Sequence, residues 1–242
     1  MTAPPSTTRS VQKRDRPSEP AGDRAVPLPA ADLARSIPKA QNDAPEERAK
    51  RNSTMKYDVI LADPPWRYNG WRTRSSGIAE RQYRTLPLED ICALPVGDLA
   101  APNCALFLWA VSPTLLDYPA KVIAAWGFDY KTCAFIWIKT VRDSLRPRLG
   151  LGHYTRSASE SCLLAIRGSM PVDNHSVSQV IHAPITRHSE KPQEHYQRIE
   201  RLYPDASKIE LFARRRRPGW DAWGDEVDSD IAIPSLRGEG AR

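Results

Sequence analysis

The chain has 242 residues, with 35 Lys and Arg against 29 Asp and Glu (net +6), 22 Pro, 12 Gly, 4 Cys and an apolar share of 40%. Its longest unbroken apolar run, Cys104 to Val111, has 8 residues, far short of the ~20 that a membrane helix needs. Cys92, Cys104, Cys133 and Cys162 are widely spaced and form no C-x-x-C pair, which argues against a zinc ribbon or a disulfide framework and for a reducing, cytoplasmic setting.

Residues 1–54 contain no aromatic residue, 8 of the 22 prolines, and 10 basic against 7 acidic residues. Such a stretch buries too little apolar surface to offset its ordering entropy, so it is expected to be a disordered Pro/Ala/Arg-rich segment without a signal peptide's apolar core. It reads either as a dispensable tail or as a weakly basic arm that touches nucleic acid. Met55 opens the foldable part and would also serve as a translation start. The folded domain is expected over 55–226, with a flexible tail over 227–242.

The foldable part alternates strands and helices. Tyr57–Ala62 is a short apolar run rich in β-branched residues and reads as a buried strand. A short helix is expected over Leu88–Leu94 and a second buried strand over Cys104–Ala110. Asp117 can cap a helix through Trp126 that Gly127 ends. Thr132–Ile138 and Ser161–Ile166 read as strands. Tyr196, Ile199 and Leu202 mark a helix over Pro192–Leu202, and Lys208–Ala213 is the last strand. Strands apolar on both faces, separated by helices, predict an α/β fold with a mostly parallel sheet covered on both faces. Ligands of such sheets bind beyond the carboxyl ends of the strands.

The first strand runs straight into Asp63-Pro64-Pro65-Trp66. Asp63 is a carboxylate at a strand end. Pro64 and Pro65 stiffen the loop and offer carbonyl acceptors, and Trp66 offers a flat face. Together they read as a slot for a planar ring bearing an amino group. The exocyclic amine of adenine has its lone pair conjugated into the ring. Attack on an activated methyl requires that nitrogen to pyramidalise and gain positive charge, and acceptors for its hydrogens favour that change in the transition state. Whether Asp63 also takes the proton, or proton loss follows transfer, stays open. The bland alternative is a rigid turn.

Further motifs are Q-Y-R-T-L at Gln82–Leu86, L-F-L-W at Leu106–Trp109, W-G-F at Trp126–Phe128 and I-W-I-K at Ile136–Lys139. They continue with G-L-G-H-Y at Gly150–Tyr154, S-E-K-P at Ser189–Pro192, K-I-E-L-F-A-R at Lys208–Arg214 and W-G-D-E at Trp223–Glu226. In this order, across 57–226, they resemble the family of the mRNA N(6)-adenosine methyltransferase catalytic subunit and its bacterial and phage DNA adenine methyltransferase relatives. The resemblance implies an S-adenosyl-L-methionine-dependent transferase with a Rossmann-like sheet and permuted motif order. In keeping with that, no G-x-G-x-x-G follows an early strand.

The resemblance assigns Asp63, Pro64, Pro65 and Trp66 to catalysis and Asp63 also to the cofactor's methionyl end. It implies cofactor contacts for Lys191, Arg214, Asp225 and Glu226, with Glu210 supporting Lys191 or Arg214. Asp225 and Glu226 depart from the family's human member, which carries amides there. Tyr83 and Glu160 match residues at the target-base pocket. Arg215 and Arg216 read as phosphate contacts or as a solvated loop. So do Arg148 and Arg156, on a loop expected to move with substrate, and the segment Arg67–Arg84, expected to close over the adenine. No His pattern matches a metal site, and Trp109, Trp126 and Trp137 read as core.

The expected activity is methyl transfer to the 6-amino group of adenine in nucleic acid, DNA before RNA, with no membrane partner. A homodimer or a partner subunit is left open. The alternatives are a catalytically silent nucleic-acid-binding subunit, or a methyltransferase acting on RNA or on a non-nucleic-acid amine or amide.

Overall fold

The computed structural model describes residues 55–67, 85–152, 154–186 and 190–233, all within one compact unit, Asp43–Arg242. In chain order the elements are β1 (Tyr57–Ala62), α1 (Leu88–Cys92), α2 (Val96–Leu99), β2 (Ala100–Ala110) and a 3-10 turn (Ser112–Thr114). They continue with α3 (Tyr118–Ala125), β3 (Asp129–Thr140), β4 (Ser159–Arg167), β5 (Val180–Pro184), α4 (Glu194–Leu202), β6 (Lys208–Leu211) and β7 (Asp221–Trp223).

The strands form one sheet in the order β5-β3-β4-β2-β1-β6-β7. Four neighbouring pairs are parallel, and the two antiparallel pairs both involve β4. The sheet is therefore Rossmann-like and mostly parallel, with one reversed strand. Alternation along each strand sorts the core into two layers. Ile60 of β1 and Leu106 and Leu108 of β2 face a cluster with Ile91, Val96, Val122 and Trp126 of the α1–α3 side. Val59 and Leu61 of β1 and Phe107 and Trp109 of β2 face the other layer, with Ile199, Tyr203 and Trp220. Burial on both faces is what the unbroken apolar runs required.

Several boundaries differ from expectation. β5 and β7 are absent from the sequence reading; they are the two edge strands, five and three residues long, too short to show a pattern. β3 extends at its start through the exposed Asp129–Lys131, where pairing with β4 supplies what propensity does not. Asp117 makes no side-chain cap to α3; its carboxylate instead pairs with Lys121 at 2.7 Å. The packing also continues past Glu226, where the sequence reading ends the domain. Ile231 and Ile233 are buried in the α1–α3 layer, and the buried Asp230 accepts from the Ala222 amide at 3.0 Å.

Candidate active site

β1 and β6 lie side by side and parallel, but the chain leaves them in opposite directions: β1 leads to β2 on one side and β6 pairs with β7 on the other. Such a reversal opens a crevice at the carboxyl ends of the two strands. A cavity of about 390 Å³ lies there, lined by Leu61, Asp63, Trp109, Lys191, Tyr196, Glu210, Phe212, the four arginines Arg214–Arg217 and Glu226, among others.

Four charged side chains of alternating sign run to this cavity. Lys139, near the end of β3, pairs with Glu160 of β4 at 2.5 Å. Glu160 reaches Lys191 at 3.3 Å, and Lys191 meets Asp63 Oδ2 at 2.6 Å. The Lys191 ammonium also stands 5.5 Å above the Trp109 ring. Burial works against its charge, yet Asp63 and Glu160 outweigh it and hold Lys191 above the ordinary lysine value. Burial likewise raises Glu160, but Lys191 and Lys139 bring its carboxyl below the usual range. Asp63 is pushed up by burial, against the pull of Lys191. Its side chain keeps 28% exposure, so it faces the cavity instead of being sealed in the core.

The opposite wall comes from α4 and β6. Tyr196 donates its hydroxyl to Glu210 Oε1 at 2.9 Å. Burial pushes the Glu210 carboxyl up to about 7, with the Tyr196 hydrogen bond opposing it. His195 donates from Nδ1 to the Pro192 carbonyl at 2.6 Å; since a carbonyl only accepts, that nitrogen carries the proton. Its Nε2, like Trp109 Nε1, is buried without a hydrogen-bond partner among the described residues. After β6, Phe212 sits at φ 60, a left-handed conformation uncommon for a bulky residue and found where surroundings impose it. Its ring meets Trp223 edge-on at 5.3 Å.

Residues 57–226 match the model of the MT-A70 family. The chain belongs to that family. It is 35% identical over 199 residues to the Type II methyltransferase M.MunI of Mycoplasma sp., covering 74% of this chain and 82% of the relative. It is 32% identical over 177 residues to the human N(6)-adenosine-methyltransferase catalytic subunit METTL3, covering 72% of this chain and 28% of that one. The human N(6)-adenine-specific methyltransferase METTL4 is 28% identical over 190 residues, covering 73% and 38%. This MT-A70 chain thus spans most of the Mycoplasma relative and less than two fifths of the two human ones.

The fold of this MT-A70 chain gathers Asp63, Lys191, Glu210, Arg214, Arg215, Arg216 and Glu226 around one cavity and ties Glu160 to it through Lys191. Other sequence assignments change. Trp66 is 5% exposed in the core, and its indole donates to the Trp109 carbonyl at 3.1 Å, so it braces the loop and offers no open face. The Pro64 carbonyl accepts from Trp66 N–H at 2.8 Å and the Pro65 carbonyl from Leu86 N–H at 2.9 Å; each has one lone pair already engaged. Glu210 accepts from Tyr196, and Arg217 and Lys191 act on its carboxyl through their charge.

Glu226 pairs with Arg214 at 2.8 Å, whereas the exposed Asp225 does not line the cavity. Arg215 pairs with Glu190 at 3.3 Å and Arg216 with Asp230 at 2.6 Å. Arg148 and Arg156 stand away from the cavity, on the loop between β3 and β4. Tyr83, and most of the Arg67–Arg84 segment, lie outside the described residues. Trp109 reads as core from its place in a buried strand, and Tyr196 only as a position that marks a helix. Helical spacing shows which face is inside, but not that the inside face borders a cavity.

Proposed function

We propose that the chain transfers a methyl group from S-adenosyl-L-methionine to the 6-amino group of adenine in nucleic acid, with DNA in the cytoplasm as the substrate. The observation that carries this is Asp63: a carboxylate at the end of β1, held by Lys191, facing the cavity where β1 and β6 diverge.

The lining suits the cofactor. Its volume falls within the roughly 300–1,000 Å³ of small-molecule sites. Asp63 and Glu210 are carboxyl groups for a cationic methionyl end. Arg214 and Arg215 suit a carboxylate, Glu226 suits ribose hydroxyls, and the strained Phe212 presents a ring to the same space. When bound, S-adenosyl-L-methionine supplies a methyl group activated on a sulfonium.

The protein's own residues do the rest. Lys191 fixes one oxygen of Asp63 and leaves the other without a hydrogen-bond partner among the described residues. That oxygen accepts from the target amine and favours the pyramidal, partly positive nitrogen of the transition state. Glu160 and Lys139 hold Lys191 in turn, so the acceptor is positioned before substrate arrives. Trp66, locked to Trp109, keeps the turn from shifting. An adenine within a duplex cannot reach this cavity and must leave its stack. DNA is preferred to RNA because the chain is matched across 82% of the type II methyltransferase but only 28% of the adenosine enzyme.

The test is transfer of labelled methyl from S-adenosyl-L-methionine to native DNA, denatured DNA and RNA, followed by nucleoside analysis. N(6)-methyladenine in DNA is expected, with a loss of about 10²-fold or more in Asp63→Ala. Undiminished label in Asp63→Ala, or label on protein alone, would overturn the reading.

A further inference from the structure

Between β3 and β4 the chain leaves the sheet as an arm, residues 141–158. β4 is antiparallel to both β2 and β3, and β2 is parallel to β1. β3 therefore ends on the same edge of the sheet as β1, and the arm stands on the edge that carries Asp63. Its foot is Lys139, whose N–H donates to Ala158 O and whose carbonyl accepts from Arg148 N–H, both at 2.8 Å. The Lys139 side chain belongs to the charged series that ends at Asp63. Further out, Gly150 N–H donates to Ser157 O at 2.6 Å, and the Arg156 guanidinium donates to the Gly150 and Leu149 carbonyls at 3.1 and 3.3 Å. Arg156 is thus a brace of the arm.

The surface of the arm is unusual. Leu145 and Leu151 are 75% and 82% exposed. Arg142, Arg146 and Arg148 are exposed beside them and form no ion pair among the described residues. Each of Arg214–Arg217, by contrast, pairs with a carboxylate. Asp143 is the single acid in 141–158 against four arginines. Two strongly exposed leucines on one arm suit an interaction site, and arginines on the same arm without an ion pair among the described residues suit phosphates.

We propose that this arm is a duplex wedge. Arg142, Arg146 and Arg148 hold backbone phosphates, and Leu145 and Leu151 press into the stack that the target adenine has left. Apolar side chains stabilise unstacked base steps in this way. The proposal rests on the nucleic-acid reading above, and adds to it the element that opens the duplex.

The test uses the full chain with unmethylated genomic DNA, native and heat-denatured, for methyl transfer. A fluorescent duplex and its single strand at several salt concentrations report binding. Three variants are compared: Leu145→Ser with Leu151→Ser; Arg142→Gln, Arg146→Gln and Arg148→Gln together; and Gly152→Ala. A Cβ at Gly152 would lie 1.7 Å from Thr155 O, so the arm must rebuild without loss of any side chain. The native-to-denatured ratio of transfer should fall at least tenfold in the leucine and glycine variants. The arginine variant should bind duplex more weakly, with its log–log salt slope reduced by about 2–3.

Equal losses on both strand states, no loss, or a wild type that neither binds nor modifies duplex would overturn the wedge. So would a change of mass in solution with DNA responses intact, which would make the arm a protein–protein face. A wild type that methylates no nucleic acid, yet binds duplex through these residues, would refute the methyltransferase reading and leave the arm standing.

Discussion

His195 illustrates how surroundings at the scale of one residue set its chemistry. It is 1% exposed, between the Trp109 ring at 5.4 Å and the Tyr196 ring at 3.9 Å. Burial, with Lys191 and Arg217 adding to it, drives its pKa down from 6.5 to about 3. A base with a depressed folded pKa contributes stability that is present above pH 6.5 and lost as pH falls toward 3. Glu210 acts in the opposite sense: raised from 4.5 to about 7, its contribution is full below 4.5 and lost as pH rises through 7. Comparing variants separates the two. Between pH 7 and pH 5, urea unfolding should show the wild type losing about 2 kcal/mol more stability than His195→Leu. Equal losses would refute a buried neutral imidazole. None of this is visible in the sequence, where His195 is one polar residue on a helix. Asp63 is different: a carboxylate followed by two prolines at a strand end is legible as it stands. The neighbouring Trp66 is not, because an indole reads alike whether its face is open or packed.

At the scale of elements, Arg167 at the end of β4 shows how strands and helices are tied together. Its guanidinium donates to the Gly97, Trp126 and Gly127 carbonyls at 2.7, 2.8 and 3.1 Å, and lies 5.0 Å over the Phe128 ring. It therefore satisfies carbonyls left over at the end of α3 and pins α2 to the same point. Gly127 is at φ 77, and a Cβ there would meet the guanidinium at 2.5 Å, so only glycine fits both the turn and the arginine. Arg167→Ala should cost about 2–3 kcal/mol in denaturant unfolding, without altering methyl transfer at permissive temperature. A loss under about 0.5 kcal/mol, the range of an ordinary surface substitution, would contradict this role. The helix ending at Gly127 was readable from local sequence. Its anchoring by a side chain 40 positions later was not.

At the scale of the molecule, the site exists because β1 and β6, separated by most of the chain, become neighbours with diverging connections. Asp63 then faces Phe212, Arg214 and Glu226 across one cavity. Glu226→Ala should weaken S-adenosyl-L-methionine binding at least tenfold, about 1.4 kcal/mol, by calorimetry without nucleic acid. Stability should change by no more than about 0.5 kcal/mol, since the residue is exposed. Unchanged affinity would remove Glu226 from the cofactor site.

The sequence alone determined the buried strands, the alternation that makes an α/β fold, the acidic turn after β1 and the family motifs. These depend on neighbours along the chain: apolar periodicity, proline stiffness and glycine at a turn. Tertiary structure decided that β4 runs backwards, that Trp66 is a brace, that Tyr196 donates to Glu210, and that Asp63 ends a series of four alternating charges. Each of those depends on which distant side chain comes within about 3–4 Å, the range over which hydrogen bonds and ion pairs act, and no local pattern encodes that distance.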